Sequence, residues 1–166
     1  MIFRHVGSAY GREIFVNAEP ETAERASPQG YSIAAVVLND GWKSGDIGSL
    51  LNQLYGALDD WTEFNSDAGA RSFVFYGERA EEASDLCDAF AYAWTKGAES
   101  EYNDVIASSN DAPNLDAFVE GMISGEIAVG DAYAEKMQNV LFATQDEEPD
   151  RLAAIVTEAV QRHHFD

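Results

Sequence analysis

The chain has 166 residues, of which 46% are hydrophobic, and a formal net charge of -20. That apolar content suffices for one buried core and excludes an acidic disordered tail, and no apolar run approaches the about 20 residues of a membrane-spanning helix. Charge this negative also argues against nucleic acid as a direct ligand, because phosphates are repelled.

The N-terminal third reads as strands. Residues 2–6 and 13–16 flank Gly7-Ser8-Ala9-Tyr10-Gly11, a glycine-bounded hairpin pattern. Residues 18–30, with Pro20, Pro28 and Gly30, read as a polar loop. Residues 32–38 form a continuous apolar run, the pattern of a strand buried on both faces, and Asn39-Asp40-Gly41 ends it. Ile47, Leu50, Leu51, Leu54, Tyr55 and Leu58 recur at three and four residues. They predict an amphipathic helix, capped by Ser44 or Asp46 and running to Asp59-Asp60-Trp61. Asp59 and Asp60 would oppose the helix dipole there.

Residues 71–76 predict another strand, closed by Gly77. A long helix over about 78–96 follows, with Ala83, Leu86, Cys87, Phe90 and Trp94 as its apolar stripe. Glu81, Asp85 and Asp88 line up along the other side, with Glu82 beside them. Like charges at that spacing repel, so the row is locally unfavourable. From Gly97 onward the chain reads as helical. Pro113 opens a helix carrying Leu115, Phe118, Val119, Met122 and Ile123, and Gly125 stops it. A further helix is predicted over about 130–144, with Tyr133, Met137, Val140 and Leu141 inward. The acidic stretch 146–150 suits the start of a last helix over about 150–163, burying Leu152, Ile155, Val156, Ala159 and Val160. The expected fold class is α+β, with α/β as the alternative. It comprises one domain over 1–166, a small N-terminal sheet of about four strands, and four or five helices that dominate the C-terminal half.

No motif carries obvious chemistry. The phosphate loop, the dinucleotide glycine fingerprint, the nucleophile elbow and the calcium-binding loop are all missing from the sequence. His163 and His164 are adjacent on a helix and point about 100° apart, which suits solvation at a helix end better than one shared metal. His5 sits in a strand without an evident partner. Cys87 falls on an apolar stripe and reads as a buried structural thiol; as the single cysteine it cannot form an internal disulfide. Trp42, Trp61 and Trp94 read as core or interface residues. Residues 1–5 lack the apolar core of a signal peptide, so a cytoplasmic location is expected. No cofactor, no metal and no catalytic residue are expected.

Function is then argued from where the charge sits. Residues 81–150 hold 17 acids against two bases, Lys96 and Lys136, whereas residues 151–166 hold two of each. This asymmetry points to a non-enzymatic acidic protein that occupies the basic, nucleic-acid-binding surface of a partner protein by electrostatically steered association. A DNA-mimic inhibitor of a restriction or CRISPR system is the leading form. The residues expected to bind are Glu81, Glu82, Asp85, Asp88, Glu99, Glu101 and Asp104, with Asp59 and Asp60 adjoining. One alternative is an immunity protein capping a basic nuclease toxin, which requires a compact patch around aromatic anchors. Another is a small enzyme or ligand-binding domain with incidental acidity. A halophilic origin of the charge requires acids scattered over every exposed face.

Overall fold

A computed structural model describes residues 3–17, 31–55, 69–95, 106–125, 137–144 and 150–163. In chain order the elements are β1 (Phe3–Ala9), β2 (Arg12–Asn17), β3 (Tyr31–Val37), α1 (Ser44–Tyr55), β4 (Gly69–Tyr76), α2 (Ala80–Thr95), β5 (Ile106–Asn110), α3 (Leu115–Ser124), β6 (Met137–Thr144) and α4 (Asp150–His163).

Local chemistry accounts for the element ends. β1 and β2 pair antiparallel across a two-residue turn in which Tyr10 (φ 52°) and Gly11 (φ 76°) are both left-handed. Two positive φ values match the right-handed twist of the flanking strands. Asn114 caps α3 from extended backbone, accepting a bond from the Ala117 N–H at 2.8 Å. Asp46 accepts a bond from the Lys43 N–H at 2.7 Å and closes the turn that enters α1.

The six strands form one mixed sheet in the order β1-β2-β6-β3-β4-β5. β2, β6, β3, β4 and β5 all run parallel; β1 is the antiparallel edge. From β3 the chain moves through α1 to β4 and through α2 to β5, then returns through α3 to β6. Right-handed crossovers in opposite directions place their helices on opposite faces. Accordingly α1 and α2 share a core with Ala34, Val36, Phe73, Phe75, Leu141 and Ala143. α3 and α4 share the other core with Ile33, Ala35, Val74, Val140 and Phe142. The successive residues of β3 and β6 thus alternate between two buried layers, which is why Ile33–Val37 and Val140–Ala143 are continuous apolar runs.

Two polar pairs bolt β6 into place. At its end, the buried Asn17 amide accepts from the Thr144 N–H at 3.0 Å and donates to the Thr144 carbonyl at 3.3 Å. Near its start, Asn139 donates to Ser32 Oγ at 3.3 Å. Both ends of a ladder that is otherwise apolar are therefore satisfied.

The expected fold class holds, in its α/β form, but the sheet has six strands rather than about four and takes β5 and β6 from the second half of the chain; four described helices cover its two faces. Two further expectations are corrected. The helix predicted over about 130–144 is strand β6 from Met137 onward, and residues 130–136, Tyr133 included, lie outside the described residues. Val140 and Leu141 do point inward, but into opposite cores. A short apolar run looks alike in a buried helix and in a strand buried on both faces. The expectation of unbroken helix after Gly97 also fails, because Ile106–Asn110 is an edge strand. Its Ile-Ala-Ser-Ser-Asn sequence is too short and polar to show a strand pattern. Among the described residues, no helix is long and apolar enough to cross a membrane.

Gly77 (φ 126°) joins β4 to α2, and a Cβ there would lie 2.9 Å from the Leu38 carbonyl oxygen. That carbonyl belongs to backbone fixed by the Leu38 N–H to Tyr76 O bond at 2.8 Å, so it cannot yield cheaply. Gly77→Ala is expected to destabilise by about 1–3 kcal/mol, read as a fall in the urea midpoint without a change in slope. Gly11→Ala, where nothing lies within 4 Å of the new Cβ, should lose distinctly less.

Candidate functional site

α2 is anchored by one side and free on the other. Ala80, Ala83, Cys87 and Ala91 are buried against the sheet, and Leu86 and Phe90 pack beside them. Phe90 lies over Gly48 of α1, where an added Cβ would come within 3.2 Å of the ring. The anchoring turns Glu81, Glu82, Asp85 and Asp88 outward, and all four are exposed. Glu81, Asp85 and Asp88 follow one helix edge at four- and three-residue steps, which separates neighbouring Cβ atoms by about 5–6 Å.

The cation beside this row is Arg79, which makes an exposed pair with Glu82 at 3.3 Å. Its guanidinium is held elsewhere. It lies 4.1 Å over the Trp42 ring and donates to the Trp42 carbonyl, while Trp42 Nε1 donates to the Glu78 carbonyl at 2.7 Å. For Glu81, Asp85 and Asp88 no ion pair is found among the described residues. Partial burial, reinforced by the neighbouring charge of Asp85, pushes the Asp88 carboxyl above its ordinary range. α4 presents a contrast, since its Arg162 pairs with Glu158 at 3.6 Å and with Glu120. Of the expected binding residues, the structure therefore brings together Glu81, Glu82, Asp85 and Asp88. Asp59, Asp60, Glu99, Glu101 and Asp104 lie outside the described residues, as do Trp61 and the Trp94 side chain.

A second polar cluster lies on the other side of the sheet, where the tip of the β1–β2 hairpin meets the end of α4. Glu120 of α3 accepts from Arg162 through Oε1 and from His163 Nε2 through Oε2. A carboxylate only accepts, so Nε2 carries a proton; Nδ1 lies 2.9 Å from Tyr10 Oη and accepts from it whenever the ring is neutral. The Tyr10 and His163 ring centroids are 5.5 Å apart. His163 was expected at a solvated helix end; instead its side chain is only 20% exposed. The reason is tertiary, because the partners stand 43 and 153 residues away. No local pattern could have signalled it.

His5 is also partnered, contrary to expectation. Its Nε2 donates to Glu13 Oε2 at 2.5 Å, its ring lies 5.1 Å from Phe15, and Ser8 Oγ donates to the same Glu13 oxygen at 2.7 Å. Cross-strand neighbours supply these contacts: Ser8 stands opposite Glu13 and His5 opposite Phe15. Cys87 is buried, as expected of a structural thiol, and Trp42 is in the core. Among the described residues no group of three or more His, Cys, Asp or Glu side chains could hold a metal ion. No protein-family model, curated protein or solved structure matches the chain.

Opposite pH responses follow from the two sites. Burial raises Glu120, but the bonds from Arg162 and His163 outweigh it and hold the carboxyl below its ordinary range. Glu13 is held low by the bonds from Ser8 and His5. Groups depressed on folding stabilise above their unfolded pKa and lose that contribution as pH falls through the folded value. Acid should therefore loosen the hairpin end below about pH 4.5, followed by hydrogen exchange of the β1 and β2 amides. Asp88 has the reverse sign: its charged form is disfavoured in the folded state. Asp88→Asn should raise stability at pH 7 by a few tenths of a kcal/mol, with the gain vanishing near pH 3 in paired chemical denaturation curves.

Proposed function

We propose that the protein is a non-enzymatic inhibitor or sequestering protein that occupies the basic, nucleic-acid-binding surface of a partner protein with the outer face of α2. The observation that carries this reading is the Glu81–Asp85–Asp88 row, exposed on a well-anchored helix and without a matching cation among the described residues. Like charges at that spacing repel, and at Asp88 partial burial, reinforced by the charge of Asp85, disfavours the ionised form. A structural role does not require that arrangement, since the apolar side of α2 does the anchoring. A partner's Lys and Arg side chains would relieve the repulsion, so complex formation gains what folding loses.

Two details favour mimicry of a nucleic acid over an aromatic-anchored cap. The carboxylates repeat along an axis rather than ringing a centre. The exposed large apolar residue among the described side chains is Tyr10, on the hairpin and away from α2. Charge distribution also favours a dedicated surface over a halophilic coat, because α4 carries Asp150 and Glu158 against Arg151 and Arg162. The partner is then a DNA- or RNA-binding protein, and restriction and CRISPR effectors are members of that class.

Charge reversal tests the face directly. Glu81→Lys combined with Asp85→Lys should weaken binding to a captured nucleic-acid-binding partner by about tenfold or more with the fold retained by circular dichroism. Double-stranded DNA should displace the protein from that partner. Unchanged affinity in the double variant would exclude α2 as the binding face.

Salt provides an independent test. The Debye length falls from about 10 Å at 0.1 M to about 3 Å at 1 M, so the association rate should drop steeply over that range while dissociation changes less. Stopped-flow or surface-based kinetics would show this. A flat rate would point to an apolar interface.

A further inference from the structure

The Tyr10–His163–Glu120 chain has no part in the acidic face, and α4 and α2 lie on opposite faces of the sheet. We propose that Tyr10 is an activated phenol that accepts an acyl group from an activated ester or thioester, with His163 as its base and Glu120 positioning the imidazole.

The three groups stand in the order that a hydroxyl nucleophile needs: carboxylate, imidazole, hydroxyl. Glu120 fixes a proton on Nε2, so in the neutral imidazole the Nδ1 lone pair faces Tyr10 Oη, 2.9 Å away. Each group comes from a different element, so backbone packing holds them: Glu120 from α3, His163 from α4, Tyr10 from the hairpin. Tyr10 is 53% exposed as a residue while the His163 side chain is 20% exposed, so the phenol's residue is open to solvent and its base is more sheltered. The backbone adds a second observation. Tyr10 occupies the first left-handed position of its turn, where Asn, Asp or Gly is ordinarily preferred. An aromatic side chain is placed there against that preference.

The charged neighbours favour a neutral acyl carbon over an anionic phosphoryl group. Arg162 is engaged by Glu120 and Glu158, and Asp116 adds to the negative charge around it. Arg12 donates to the Gly125 carbonyl at 3.2 Å. Among the described residues these contacts leave no cationic clamp of the kind that transferring phosphates require. In the step, the Tyr10 oxygen forms a bond to the acyl carbon and its proton passes to His163 Nδ1. The donor's alkoxide, phenolate or thiolate leaves with the electrons of the broken bond. Glu120 stabilises the imidazolium and stays ionised. The product is one tyrosyl ester per chain, which is compatible with a stoichiometric binding protein and independent of the α2 reading.

The test is reaction of the full chain with p-nitrophenyl acetate, following nitrophenolate release and locating the acetyl group by peptide mass spectrometry. Tyr10 should be acetylated about 10²-fold faster than N-acetyltyrosinamide in the same buffer, the lower range of general-base assistance. His163→Phe keeps a ring against Tyr10 but removes the base, and should return the rate to that of the free amide. Glu120→Gln should lower it partway, and Tyr10→Phe should abolish the labelled peptide. Circular dichroism and thermal unfolding report whether each variant folds. If His163→Phe does not fold, the comparison of wild-type Tyr10 with the free amide decides alone. Labelling of Tyr10 no faster than the free amide, or a folded His163→Phe with an unchanged rate, would overturn the proposal.

Discussion

The insertion of β6 between β2 and β3 is the constraint on which the rest depends. Among the described strands the β1–β2 hairpin pairs with the rest of the sheet through β6, and β3 begins the run that builds the other half. β6 must therefore be apolar on both sides, and Val140, Leu141, Phe142 and Ala143 are all buried. Its ladder partners lie more than a hundred residues away in sequence, so closing them entails a large loss of chain entropy before any contact compensates. Asn17 and Thr144 complete that closure with reciprocal bonds where the regular ladder stops. The amide does there what another rung would have done.

That closed sheet is what permits the charge. A net charge of -20 works against any compact state, and two apolar layers on a central sheet supply the opposing burial. The repulsion is also handled differently from helix to helix. On α4 and α3 it is answered by pairing, through Arg162 with Glu158 and Glu120. On α2 Arg79 answers Glu82, the row Glu81, Asp85 and Asp88 has no ion pair among the described residues, and the packed Ala and Cys side keeps the helix in place regardless. At Asp88 partial burial, with a further contribution from Asp85, works against ionisation.

The hairpin end follows another logic. Its carboxylates, Glu13 and Glu120, are each satisfied by imidazole and hydroxyl or guanidinium donors, and both are held ionised. The α2 edge and the hairpin end thus use carboxylates for opposite purposes. One leaves carboxylates unanswered on an exposed helix edge, and the other engages them in polar chains between elements.

Local chemistry made much of this legible in the sequence. The 32–38 run, the Leu-rich spacing of α1 and the apolar stripes of α2, α3 and α4 depend on residues within a few positions of one another, and among the described residues each appears where that spacing predicts it. The acidic edge of α2 was legible for the same reason, because four- and three-residue spacing is a property of any helix. What only the tertiary structure decided involves distant partners. Residues 137–144 are strand because β2 and β3 wait on either side to bury both faces, and the same apolar run could equally have served a helix. His163 is sheltered because a hairpin tip 153 residues away folds onto it. Periodicity carries information over one or two turns of chain, whereas sheet insertion and side-chain chains across elements are settled by which surfaces the whole fold brings together.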